Sequence, residues 1–239
     1  MADETTSTAD SPSVGSGVIG MFNAFVDPAG LAKAAKAKLF WLWPLLLTSI
    51  VTVVVLYMMS PYTSSIAEAR IVQVPPERQE QARRISQMMA NIIPIVAPIG
   101  IVVITVIMAF LVNLTCSMAG IRTKFRDVFA LMTGCSLIVC LQTIATLVVL
   151  RVKGDEVTSQ EQMTPPFGLD IFIPAHGALL AVLNFFSIFQ IWYLVILGLA
   201  LAYMTASTKG KAFFAITPAW LIPLLLKIVG SFFTPGGGS

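Results

Sequence analysis

The chain has 239 residues, of which 56% are hydrophobic and 11% charged, with a mean hydropathy of +0.85. Soluble domains carry about 25% charged residues, so this composition excludes an ordinary soluble chain and points to one built in lipid. A net charge of +3 and a pI near 8.8 arise from small basic clusters beside apolar runs, not from one continuous basic face, which argues against nucleic acid as a partner.

Residues 1–17 are rich in Ser, Thr, Ala and Gly and cannot bury enough apolar surface to offset the entropy of ordering, so 1–20 reads as a disordered cytoplasmic tail. It carries Asp3, Glu4 and Asp10 but no Lys or Arg, so no cleavable leader is expected and insertion relies on the first span. Met21, Phe22, Phe25 and Val26 follow at helical spacing and stop at Asp27-Pro28, predicting a short interfacial helix. Lys33, Lys36 and Lys38 precede Trp41 and Trp43, so 21–38 reads as an amphipathic, basic membrane-surface segment. Span one is predicted over 39–59.

Pro75-Pro76 open a polar helix in which Glu80 and Arg84 pair at i, i+4. Its apolar side, Ile85, Met88, Met89 and Ile92, runs without a break into the second span, 92–118. A helix continuous from Pro76 to Ser117 measures roughly 60 Å, about twice the hydrocarbon core, so its front half must project beyond the membrane. Pro94 and Pro98 predict a kink in it. The segment from Gly120 through Arg122, Lys124, Arg126 and Asp127 to Phe129 is a short basic connector, and span three follows at 128–150.

Residues 151–183 form a second long outer segment with Asp155, Glu156, Glu161 and Asp170. Its apolar piece, His176 to Leu183, is too short to cross and predicts an interfacial or re-entrant helix. Asn184 is expected to cap span four, 185–206. The break Ser207-Thr208-Lys209-Gly210-Lys211 leads to span five, 212–233, and 234–239 reads as a flexible tail or linker. The fold expected is all-α: a polytopic, five-transmembrane-helix bundle over 39–233, with an extracytoplasmic extension of the second span and a short helix before the fourth.

Three stretches carry a family resemblance. They are the Phe25-x-Asp27-Pro28 turn leading to Trp43-Pro44; the connector Gly120-Ile121-Arg122-Thr123-Lys124-Phe125; and the run from Asn184 to Trp192, continued by Leu197-Gly198-Leu199-Ala200, Lys209-Gly210-Lys211-Ala212 and Trp220-Leu221. From about Phe22 to Phe233 the chain resembles Yip1-domain membrane proteins, and its bacterial members most. The resemblance implies a non-enzymatic five-span protein. Eukaryotic members are linked with Rab-family GTPases and vesicle traffic, but this chain lacks their Asp-Leu-Tyr-Gly-Pro motif and long aromatic-rich arm. Rab binding is therefore not carried over, and a bacterial inner membrane is the expected location.

All twelve carboxylates fall outside the predicted spans, whereas ion-coupled carriers hold ionisable groups at membrane depth. The one charge inside a span, Lys227, is near its outer end and is expected to snorkel to the headgroups. His176 is the sole histidine and reads as a solvated loop residue, so no multi-histidine metal site can form. Cys116, Cys135 and Cys140 lack metal-like spacing and read as small buried hydrophobes. Ser16, between two glycines, lacks a GxSxG pattern and a histidine partner. No catalytic, cofactor-binding or metal site is expected. Ala130 with Gly134, and Gly198 with Ala202 and Ala206, form small faces for helix packing. Asn113, Gln142 and Gln190 suit interhelical hydrogen bonds or the lining of a solute path.

These features favour a non-enzymatic protein acting by contact, an accessory or organising subunit of a membrane assembly such as an exporter complex. Glu80, Arg83, Arg84, Arg122, Lys124, Arg126 and Asp127 are its candidate contacts. The alternatives are a carrier or lipid-remodelling protein for an uncharged or lipidic substrate, and a trafficking adaptor like the eukaryotic relatives. The partners expected are the lipid bilayer and one or more membrane proteins, with association into a homo-oligomer left open. Eight of the 15 Lys and Arg sit in short connectors tight against the spans, which places the amino terminus in the cytoplasm and the carboxyl terminus outside. Compartment-specific reporter fusions test this: a carboxyl-terminal fusion is expected to be active only outside, and activity solely in the cytoplasm overturns the topology.

Overall fold

The computed structural model describes residues 14–154, 163, 167–173 and 177–232. His176, the acids at 155, 156 and 161, residues 1–13 and the tail from 233 lie outside the described residues. The helices are α1 (Val14–Met21), α2 (Pro28–Ala34), α3 (Leu42–Ile71), α4 (Pro76–Met118), α5 (Phe125–Lys153), α6 (Gly177–Phe185), α7 (Ile188–Thr205), α8 (Lys209–Ala215) and α9 (Thr217–Phe232). Among the described residues, five stretches are long and apolar enough to cross a membrane: α3, α4, α5, α7 and the combined Lys209–Ser231.

α5 is the centre of the bundle. It packs against α3, α4 and α7, and its buried residues run from Val128 to Leu150. α4 also meets α8 and α9, while α6 lies along α9. Interior hydroxyls are absorbed locally: Thr48 and Ser136 bond across α3 and α5 at 3.0 Å, and Ser136 also donates to the Thr133 carbonyl at 2.6 Å. In lipid such groups have no water to bond, so these contacts hold the helix pair as well as satisfying it.

The amino-terminal segment departs most from expectation. Helix already runs over Val14–Met21, inside the 1–20 stretch expected to be disordered, because Val18 and Met21 find an apolar surface to cover. A 3-10 turn, Phe22–Phe25, leads into α2, whose first turn is capped by Asp27: its Oδ1 accepts from the Gly30 N–H at 2.9 Å. This segment does not merely rest on a membrane surface. Ala24, Leu31, Ala32, Ala35 and Phe40 are buried among α5 and α7. The Trp192 indole N–H donates to the Phe25 carbonyl at 3.0 Å, with the two rings 5.8 Å apart. Trp192 is 13 residues from the end of α7 at Thr205, roughly 20 Å of helix rise, so the turn enters the bundle as a re-entrant wedge.

α3 is longer than predicted, continuing past Met59 to Ile71 with Pro61 inside it. Thr63, Ser64 and Ser65 donate back to the carbonyls of Ser60, Pro61 and Tyr62, each at 2.9 Å, in the turn that follows the proline. α4 is helical without interruption from Pro76 to Met118, through Pro94 and Pro98. The two therefore form an antiparallel hairpin, closed by the turn at 72–75, that extends well beyond ~30 Å of hydrocarbon. The last span is divided at Ile216, because Pro218 has no N–H to continue the ladder and Thr217 turns its hydroxyl onto the Phe214 carbonyl at 2.7 Å.

Gly134 faces Leu31 and Phe40 so closely that even a Cβ there would press on both. Gly134→Leu is expected to displace the wedge at a cost of ~1–3 kcal/mol and to lower the thermal midpoint in detergent. Gly100→Leu, at a position with nothing near its Cβ, is the control and should leave the midpoint nearly unchanged.

Candidate functional site

At the far end, the α3–α4 hairpin carries the first set of expected contact residues. Arg84 donates to Glu80 at 2.6 Å along α4, both largely exposed. Arg83 does not stand free: it bridges to Glu68 of α3 at 3.3 Å. Half-exposed pairs contribute only ~0–1 kcal/mol, so this bridge sets the register of the hairpin more than its stability. Beside these charges Ile85, Met88, Met89 and Ile92 are exposed. A groove of about 730 Å³ opens between the two helices, with Leu56, Met59 and Ile93 among its apolar walls and Ser60, Thr63 and Arg83 among its polar ones.

At the basic end the connector residues divide into two groups. Arg126 is committed: it bonds to the neighbouring Asp127 at 3.1 Å and donates to the Lys36 carbonyl at 2.8 Å, tying the connector to the wedge. Arg122 and Lys124 face a cleft instead. Thr123 donates to Asn113 Oδ1 at 2.8 Å, so Asn113 is glue between α4 and the connector. Gln142 is placed midway along α5 and Gln190 in the first turn of α7, so the three amides do not line one path.

A third polar cluster went unread in the sequence. Lys227 does not simply reach for headgroups: its Nζ donates to Asn184 Oδ1 at 2.6 Å. Asn184 Nδ2 donates in turn to Asp170 Oδ2 at 3.2 Å, and Asp170 Oδ1 accepts from the Gly168 N–H at 3.0 Å. Asn184 is thus inside α6 and does not cap span four. The cap is Ser187, whose hydroxyl accepts from the Gln190 N–H at 3.1 Å. The signal was present, since Ser187-x-x-Gln190 has the S-x-x-Q spacing of a helix start. What could not be read is that α6 lies along α9, which brings the carboxamide to the lysine.

Ala130 and Ala202 are buried, and Gly198 lets the Phe213 ring of α8 lie against α7. Gly134, however, receives the wedge and not a neighbouring span. Ala206 is not a packing residue: it is exposed and turns the chain out of α7 in the left-handed region, φ 50°. All three cysteines are buried. Asp27 lies outside the spans predicted from the sequence. As the cap of α2, two residues past Phe25, it enters with the wedge and is exposed there.

The five apolar helices define a polytopic helical membrane protein. Residues 22–230 match the Yip1 domain, so the chain belongs to the Yip1 family, a class of membrane proteins not known as enzymes. No curated protein and no solved structure matches it.

Asn184→Leu, which removes both the acceptor for Lys227 and the donor to Asp170, is expected to loosen the segment at 167–185. Hydrogen exchange should show faster exchange of the Gly177–Phe185 amides, with α5 unchanged. Unaltered exchange in α6 would mean that Lys227 and Asp170 are held independently of Asn184.

Proposed function

We propose that the protein works by contact, as an accessory or organising subunit of a membrane assembly, with an exporter complex the first kind of assembly to test. The observation that supports this reading is the α3–α4 hairpin. Ile85 is 33 residues from Met118, roughly 50 Å of helix, which carries it past the hydrocarbon core and most of the headgroup layer. An exposed apolar stripe flanked by Glu80 and Arg84 at that height suits a partner helix or loop better than lipid. The Lys/Arg-rich end faces the cytoplasm in this reading, so the hairpin projects to the outer side of a bacterial inner membrane.

The groove between α3 and α4 favours a second reading, a carrier or lipid-remodelling protein, because its apolar walls with a few hydroxyls suit an uncharged or lipidic guest. Asp27 in the wedge and the Asp170–Asn184–Lys227 cluster add polar groups of the kind a carrier would use.

The discriminating variant is Arg84→Glu with Met88→Asp, which leaves the Arg83–Glu68 bridge in place. It is expected to release a co-purifying membrane protein after mild solubilisation while the thermal midpoint stays close to that of the parent. If native membranes yield no cross-linked partner and the purified protein alone moves lipid between liposomes, the carrier reading replaces this one.

A further inference from the structure

At the end of the bundle opposite the hairpin, three chain segments meet: the link between α2 and α3, the connector 119–124 and the connector 206–208. Two adjoining cavities open there, of about 290 and 330 Å³. Arg122 and Thr205 line both. Lys36 and Lys124 add their charges to the first and Lys211 to the second. The one carboxylate in the lining, Asp127, is already paired with Arg126. Four cations from three chain segments therefore converge on one cleft with no free counter-charge in its wall.

Basic residues at helix ends commonly hydrogen-bond the last carbonyls. Here the backbone serves several of them. Ile121 N–H donates to the Cys116 carbonyl at 2.8 Å and Ala119 N–H to Thr115 at 2.9 Å. Ser207 N–H donates to the Ala202 carbonyl at 3.2 Å. Thr208 occupies the N-cap position of α8, yet its hydroxyl caps nothing. The Thr205 hydroxyl donates to the Leu201 carbonyl at 2.8 Å and lies 2.9 Å from Ser207 Oγ, so the Ser207 hydroxyl is engaged with Thr205. The cleft thus gathers four cationic side chains and the Thr208 hydroxyl, which is not spent on the helix end.

We propose that this cleft binds the phosphate of an anionic lipid headgroup, with Arg122, Lys124 and Lys211 as its principal ligands and the Thr208 hydroxyl completing the donor set. Guanidinium and ammonium groups match phosphate oxygens in charge and donor number, and a basic pocket between spans at the membrane surface admits a headgroup whose chains stay in the bilayer. The site stands apart from the contact surface on the hairpin, and the two can fail separately. A soluble phosphate would use the same ligands, so the test separates the two sources.

The test uses the full chain in nanodiscs of phosphatidylcholine with a titrated share of phosphatidylglycerol, and, in a second arm, the detergent-purified protein with inorganic phosphate. Binding is read by native mass spectrometry and by the shift in thermal midpoint. The triple variant Arg122→Gln, Lys124→Gln, Lys211→Gln is expected to weaken phosphatidylglycerol binding on the order of 100-fold. The control triple Lys33→Gln, Lys38→Gln, Lys209→Gln removes the same charge outside the cleft and should lose far less. The single variants Lys124→Gln and Lys211→Gln, from different segments, should each lose roughly fivefold, which keeps the test open should the triple variant fold poorly. Equal losses in both triples overturn the site in favour of general surface charge. Binding of inorganic phosphate without phosphatidylglycerol overturns the lipid as its source.

Discussion

The seating of the amino-terminal wedge between α5 and α7 is the constraint on which the rest of the bundle depends. Leu31 and Phe40 reach the centre only because Gly134 leaves them room, and Ala24, Ala32 and Ala35 let the segment approach without displacing larger groups. Between helices in lipid, with no hydrophobic drive to bring apolar faces together, close packing and hydrogen bonds supply the association. The Trp192 bond to the Phe25 carbonyl adds a directional anchor, and it satisfies a carbonyl that a 3-10 turn leaves open. Removing the wedge would leave α5 and α7 with unfilled space over their most buried stretch.

The same economy governs the polar residues of the spans. Thr105 and Thr115 return their hydroxyls to carbonyls four residues back, and Asn113 is satisfied by Thr123 of the adjoining connector. The helices can therefore carry Ser, Thr and Asn at membrane depth without forming an open polar path. The charged Asp170–Asn184–Lys227 chain follows this rule at the far end of α9. It joins the segment before α6, α6 itself and the last span, adding polar bonds where α6 already lies along α9.

Length separates the two ends of the molecule. α3 and α4 outrun the bilayer, while α7 has 18 residues and just spans it. The surplus is gathered into one hairpin with a mixed-charge, partly apolar surface, whereas the basic end is kept short and flush, with its charges turned into a cleft. The molecule thus carries a projecting surface at one end and a group of cationic side chains around a cleft at the other.

The sequence by itself determined the class of the protein, the number of its spans, the helical extension of the second span and the burial of the cysteines. Each follows from local composition and from a helix rise set against a fixed bilayer thickness. It also held signals that are clear only in retrospect, such as Ser187-x-x-Gln190. Tertiary structure alone decided that residues 21–38 dive between α5 and α7, that Arg83 pairs with Glu68, that Lys227 finds Asn184, and that Arg122, Lys124 and Lys211 share a cleft. Hydropathy reports a residue's preference for lipid or water, and a buried protein surface reads the same as lipid. Which partner fills that surface depends on segments far apart in the chain meeting at one depth, and no local pattern encodes that.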